Sequence, residues 1–213
     1  ENNGVYGLTK GQFSATAEKG LHLKHQGENP YMPVDICMEA LVSNATFVAR
    51  SFAGNSKQVK ELLKAALAHD GIAVLDIISP CVTFNNQENA FHSYAWGKDH
   101  EEPLHEISYI APRNEIILER EMEDGEVREV AMHDGSTVIL KNLEKGYDPT
   151  NRFEALRVME ECQRNNWLVT GLLYVNTTKP NLTSIYELVD TPLNRLTEAD
   201  LRPDRSAMDK VNA

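Results

Sequence analysis

ATFVARSFAGNSKQVKELLKAALAHDGIAVLDIISP, residues 45–80, decides the fold class. Its opening ATFVARSF (45–52) alternates and is rich in β-branched and aromatic residues, which predicts a strand. In the adjoining GNSKQVKELLKAALAHDG, Val59, Leu62, Leu63, Ala66 and Leu67 recur at helical spacing as one apolar stripe. Ser56 is the expected N-cap and Gly71 the C-terminal stop. GIAVLDIISP (71–80) is almost continuously apolar, as expected of a strand buried in a parallel sheet. Strand, helix and strand in that order make a βαβ unit with a right-handed crossover. The expected class is α/β, a mostly parallel sheet flanked by helices.

Working outward, PVDICMEALVS (33–43) reads as a helix that stops at Asn44. In an open α/β sheet, ligands gather where strands end at their carboxyl side. Two loops leave such ends: the opening GVYGLTKGQ and the PCVTFNN after Ser79. They are expected to be neighbours. Residues 87–112 show no period and read as an irregular surface excursion, with His92, His100 and His105 solvated. Residues 114–143 read as a β-meander turning at Asp124-Gly125 and Asp134-Gly135. A helix is expected over 148–166, starting near Asp148 or Thr150, then a strand over 167–176 and a polar arm suited to wrapping a partner. Trp96 and Trp167 are expected in the core or at a subunit interface, and Cys37 and Cys162 as small buried hydrophobes.

Composition narrows the function. The 213 residues carry 32 acidic against 21 basic side chains, a net charge of -11, which argues against nucleic acid as a partner. No apolar run is long enough for a membrane helix, and no signal peptide is expected from the first residues. Three widely spaced cysteines, Cys37, Cys81 and Cys162, do not suggest a disulfide framework, so a reducing cytoplasm is the expected compartment.

The first residues carry the chemistry. Asn2-Asn3-Gly4-Val5 taken alone is a turn, since Asn-Gly favours positive φ. It also fits the tail of the thiamine diphosphate motif, Gly-Asp-Gly followed after a spacer by Asn-Asn. There hard oxygen ligands hold the divalent cation that binds the diphosphate. The Gly-Asp-Gly would lie upstream of residue 1. Longer segments are more specific. VYGLTKGQFSAT, NATFVARSF, SKQVKELLKAALAH and LDIISPCVTFNN resemble the β subunit of 2-oxoacid:ferredoxin oxidoreductases. The resemblance covers residues 1 to about 86 and is weaker beyond, apart from a family-like helix near DPTNRFEAL.

That resemblance implies a thiamine diphosphate-binding fold, with 1–86 as the C-terminal half of the cofactor domain and 87–213 as an extension. It implies that Asn3 Oδ1 and the Val5 carbonyl bind Mg²⁺, and that Tyr6, Gly7, Leu8 and Thr9 grip the diphosphate. Lys10 would meet the carboxylate of a 2-oxoacid, with Leu8 as an apolar wall. Cys81 would be one ligand of a 4Fe-4S cluster whose other three cysteines come from an amino-terminal region. Implied partners are an α subunit, in an αβ or (αβ)2 assembly, together with ferredoxin, coenzyme A and the 2-oxoacid. 2-Oxoglutarate is the first expectation, with pyruvate or a broad set of 2-oxoacids as the alternative. Two further readings stay open: another thiamine diphosphate enzyme such as a decarboxylase, and a non-catalytic segment that serves only assembly.

Overall fold

Short antiparallel ladders open the chain, β1 (Val5–Tyr6) with β2 (Gln12–Phe13) and β3 (His22–Leu23) with β4 (Gly27–Glu28). The structure is a computed structural model that describes residues 1–112, 127–142 and 147–213. It divides into two units, Glu1–Pro180 and Asn181–Ala213.

Helix α1 (Ile36–Val42) starts later than residue 33 because Asp35 is its cap, accepting from the Cys37 and Met38 amides. Asn44, at φ 65°, turns the chain out of the helix as expected. Strand β5 (Phe47–Phe52) comes next, within the expected 45–52, and is buried on both faces. Its polar positions are satisfied internally. The Arg50 guanidinium meets Asp35 at 2.7 Å and Asp76 at 3.1 Å, and the Ser51 hydroxyl donates to Gln58 at 2.7 Å. The β5 side chains serve two cores: Val48 packs with Leu41 and Met159, Phe47 and Ala49 with Leu62 and Leu172.

Helix α2 (Ser56–Ala68) is capped by Asn55, whose side chain accepts from the Gln58 amide, so Ser56 is the first helical residue and not the cap. Its buried stripe is Gln58, Leu62 and Ala65, while Leu63 and Leu67 face solvent. The expected stripe was thus rotated by one residue. Strand β6 (Ala73–Ile78) is parallel to β5 in register, but it is an edge strand and only Asp76 and Ile78 in it are buried.

Residues 87–112 are not an irregular excursion. They hold helix α3 (Tyr94–His100), capped by Ser93, then strands β7 (Glu101–Pro103) and β8 (His105–Ile110). Strands β9 (Val127–Ala131) and β10 (Thr137–Asn142) form a hairpin around the expected Asp134-Gly135 turn. Strand β8 pairs with β10, giving the order β8-β10-β9, which a simple meander does not have. The Asp124-Gly125 turn lies outside the described residues.

Helix α4 (Arg152–Asn165) is capped by Asn151, a residue beyond the expected Thr150. It returns through Asn166, in the left-handed region, to β11 (Leu168–Val175), which is buried throughout. Strand β11 completes a four-stranded sheet of order β6-β5-β11-β7. Two of its three pairings are parallel; β11 runs antiparallel to β5.

The second unit contains only short helices: α5 (Leu182–Ile185), a 3-10 turn at Leu193–Arg195, α6 (Glu198–Leu201) and α7 (Arg205–Val211). The arm is less polar than expected. Ile185, Tyr186, Leu188, Val189 and Leu193 all stand exposed on it.

Candidate functional site

The opening loop is anchored at the carboxyl end of β6. The Asn2 amide donates to the Ile77 carbonyl at 2.8 Å, and the Ser79 amide donates to the Asn2 carbonyl at 2.9 Å. The two loops expected to be neighbours are therefore joined where the sheet ends. Asn2 is tied further by Thr16, whose hydroxyl donates to its Oδ1 at 2.6 Å. The Val5 amide donates to Asn3 Oδ1 at 3.3 Å, so Asn3 and Val5 form one local turn that brings a side-chain oxygen over the next stretch of backbone.

Past this turn the chain doubles back. The Lys10 amide donates to the Gly7 carbonyl at 3.1 Å, and the Gly11 amide to the Tyr6 carbonyl at 3.0 Å. Thr9 and Gln12 brace the loop, with Gln12 Nε2 donating to the Thr9 carbonyl at 2.8 Å. Lys10 sits at φ 76°, a conformation that turns the chain sharply and is costly for a residue with a side chain. Tyr6, Leu8 and Lys10 are exposed, Leu8 completely. No ion pair to Lys10 exists among the described residues.

The second loop makes a tight turn in which the Phe84 and Asn85 amides donate to the Cys81 carbonyl at 3.0 and 2.7 Å. Glycines of the first loop receive side chains of the second. A Cβ on Gly4 would lie 2.8 Å from the His92 ring, one on Gly7 3.2 Å from Cys81 Sγ, and one on Gly11 2.9 Å from the Phe84 ring. Asn85 Nδ2 donates to the Asn3 carbonyl at 2.9 Å. The spacing of Gly4, Gly7 and Gly11 is thus explained by what they seat: the loops form one seam.

Of the expected site residues, Asn3, Val5, Tyr6, Gly7, Leu8, Thr9 and Lys10 belong to this one loop, and Cys81 abuts Gly7 from the other side. Cys81 is half-buried, whereas Cys37 and Cys162 are buried in the core. Burial pushes the Cys37 thiol up to about 12, against the opposing pull of the Arg50 guanidinium, so it remains a thiol. Among the described residues no three His, Cys, Asp or Glu side chains gather as a metal site. The expectation that His92 and His105 are solvated is wrong: both are 1% exposed. His92 Nδ1 stands 3.8 Å from Glu18 Oε2, and neither ring nitrogen has a hydrogen bond. Asn85, His92 and Glu18 were missed by sequence reasoning. The one available signal was that Asn85 lies four residues past Cys81 in the same family-like segment; nothing local marks His92 as buried.

Residues 1–77 match the thiamine pyrophosphate enzyme C-terminal TPP binding domain. The 2-oxoacid:ferredoxin oxidoreductase subunit beta of Saccharolobus solfataricus is 46% identical over 87 residues, 40% of this chain and 28% of that subunit. The chain resembles the β subunit of a 2-oxoacid:ferredoxin oxidoreductase. The 2-oxoglutarate oxidoreductase subunit KorB of Mycobacterium tuberculosis is 39% identical over 89 residues, 40% of this chain and 23% of that subunit. The chain thus spans about a quarter of the length of these β subunits. A solved 2-oxoglutarate:ferredoxin oxidoreductase from Magnetococcus marinus, with 2-oxoglutarate, coenzyme A and succinyl-CoA bound, shares the fold at a TM-score of 0.62. That similarity covers 99% of this chain and 56% of the other at 24% identity, so it speaks to fold alone. Among the described residues no helix is long and apolar enough to cross a membrane.

Proposed function

We propose that the chain acts in the β subunit of a 2-oxoacid:ferredoxin oxidoreductase that converts 2-oxoglutarate and coenzyme A to succinyl-CoA and carbon dioxide, passing two electrons to ferredoxin. The observation that carries this reading is the seam itself: a thiamine-type Asn-x-Val turn seated, glycine by glycine, on the turn that holds Cys81. The residues fit Mg²⁺–thiamine diphosphate. Asn3 Oδ1 and the Val5 carbonyl are hard, neutral oxygens of the kind Mg²⁺ takes. Gly7, which has no Cβ, lets Cys81 Sγ close on this loop from one side, while Tyr6, Leu8 and Thr9 stay exposed and within reach of a diphosphate. The cofactor, when bound, supplies the electron sink that lets a 2-oxoacid lose carbon dioxide.

The chain's own side chains then have defined work. Lys10, exposed at the turn of the loop, offers its ammonium to a substrate carboxylate, and Leu8 gives an apolar wall beside it. A dicarboxylate such as 2-oxoglutarate gains most from a fixed cation, and similar proteins are named for 2-oxoglutarate. Cys81 offers one half-buried sulfur ligand, which suits a 4Fe-4S cluster whose other ligands come from outside this chain's described residues. Residues 1–86 carry the cofactor loops and 87–213 the extension, whose exposed apolar arm suits an α subunit. A cytoplasmic location accords with three cysteines spaced too widely to suggest a disulfide framework.

Iron and acid-labile sulfide in the assembled enzyme test the Cys81 assignment. Cys81→Ala is expected to lose or destabilise the cluster and to abolish ferredoxin reduction. Full iron content with normal ferredoxin reduction would remove Cys81 from the site.

A further inference from the structure

Asn85 belongs to both loops at once. Its backbone amide closes the Cys81 turn at 2.7 Å, and its side-chain amide donates across the seam to the Asn3 carbonyl at 2.9 Å. It is fully buried, as is His92 beside it. Asn85 Oδ1 and both His92 ring nitrogens lack hydrogen-bond partners among the described residues. Bare buried polar atoms cost free energy, and an apolar filler at either position would avoid that cost. The Asn85 donor is thus the polar interaction that this seam holds in place. Its acceptor is significant: the Asn3 carbonyl lies between the Asn3 side chain and the Gly4-Val5 backbone, so fixing it fixes the plane of the peptide that leads into the turn. Other bonds that anchor the loop, from Asn2 to Ile77 and Ser79, reach strand β6 and its end but not the Cys81 turn.

We propose that Asn85 is a positioning residue that locks the Asn3–Val5 turn to the Cys81 turn, so that cofactor affinity at one and access to the thiol at the other are coupled. The inference rests on the reading of Asn3 and Val5 as cation ligands. Coupling of this kind is reciprocal: whatever orders one turn stabilises the other. On this reading Asn85 acts through the orientation of Asn3, to whose carbonyl its side chain donates.

The test uses the full-length subunit assembled with its partner subunit, as wild type, Asn85→Ala and Asn85→Asp. Aspartate keeps the shape but sets an acceptor against the Asn3 carbonyl. Calorimetric titration with Mg²⁺–thiamine diphosphate is expected to show Kd raised about tenfold or more in both variants, the scale on which outer-shell partners of metal ligands act. Thermal midpoints of the cofactor-free variants are expected to fall modestly, most in Asn85→Asp, whose buried carboxylate faces a carbonyl oxygen, with cooperative melting kept. Iodoacetamide labelling of Cys81 in cluster-free protein, read by mass spectrometry with buried Cys37 and Cys162 as internal controls, is expected to be faster in Asn85→Ala. The cofactor should protect Cys81 in wild type and not in that variant. Unchanged Kd in both variants overturns the proposal, as does a lowered midpoint with Kd unchanged, which would make Asn85 a structural filler. If the wild type itself fails to bind the cofactor, the cofactor reading falls and labelling decides the latch: faster Cys81 labelling in Asn85→Ala retains it, equal rates remove it.

Discussion

Lys10 stands exposed on the loop that carries Asn3, held by a backbone bond to Gly7 in a conformation most side chains avoid. Its ammonium has no ion pair among the described residues and is free to meet a ligand. Lys10→Ala is expected to raise KM for 2-oxoglutarate by roughly 10- to 100-fold, the range of a lost charge-assisted hydrogen bond. The rise for pyruvate should be smaller. Steady-state kinetics with both acids decides; unchanged values for both would return Lys10 to the solvated surface. Local chemistry made only the turn at Asn2-Asn3-Gly4 legible, through side chains and φ preferences; the role given to this loop came from the resemblance of VYGLTKGQFSAT to a known family. His92 and Asn85 were not legible, since their burial depends on Gly4 and Asn3 more than 80 positions earlier in the chain.

At the scale of elements, His105 joins two sheets. Its Nε2 accepts from the Leu172 amide at 2.8 Å, linking β8 to β11, so its proton sits on Nδ1 and the ring is neutral. Burial lowers its pKa to about 4 from an ordinary 6.5. An unfolded His105 binds a proton below 6.5, and the folded one resists until about 4. Stability from this group is therefore complete above that ordinary value and lost as pH falls through the window, by about 3 kcal/mol at its lower end. His69, lowered to about 4 mainly by burial, acts in the same direction. Urea melts between pH 7.5 and 4.5 should show a shallower acid loss for His105→Gln than for wild type, where carboxylates contribute equally to both. Parallel pH profiles would contradict it. The elements themselves were read well where apolar periodicity was long, as in α2, α4 and β11. Residues 87–112 were misread because their elements are short and lack a clear period, and the stripe of α2 was misplaced where polar residues are buried in pairs. Arg50 and Gln58 look like surface positions until Asp35, Asp76 and Ser51 are seen to satisfy them.

For the whole molecule, the exposed apolar side chains of Asn181–Ala213 point to a partner, since Ile185, Tyr186, Leu188, Val189 and Leu193 are all more than half exposed. Replacing Ile185, Tyr186 and Leu188 together by serine is expected to weaken co-purification of the α subunit and leave the chain's own melting midpoint unchanged. Retained co-purification would shift the interface elsewhere. The central assignment, that the opening loop holds Mg²⁺–thiamine diphosphate through Asn3 and Val5, is tested most directly by titrating the cofactor into the assembled enzyme with and without Mg²⁺. In wild type, binding should require the cation, and in Asn3→Ala the Kd should rise by at least about 100-fold, since a direct ligand matters no less than the partners that orient one. Equal, cation-independent binding by wild type and Asn3→Ala would contradict the assignment.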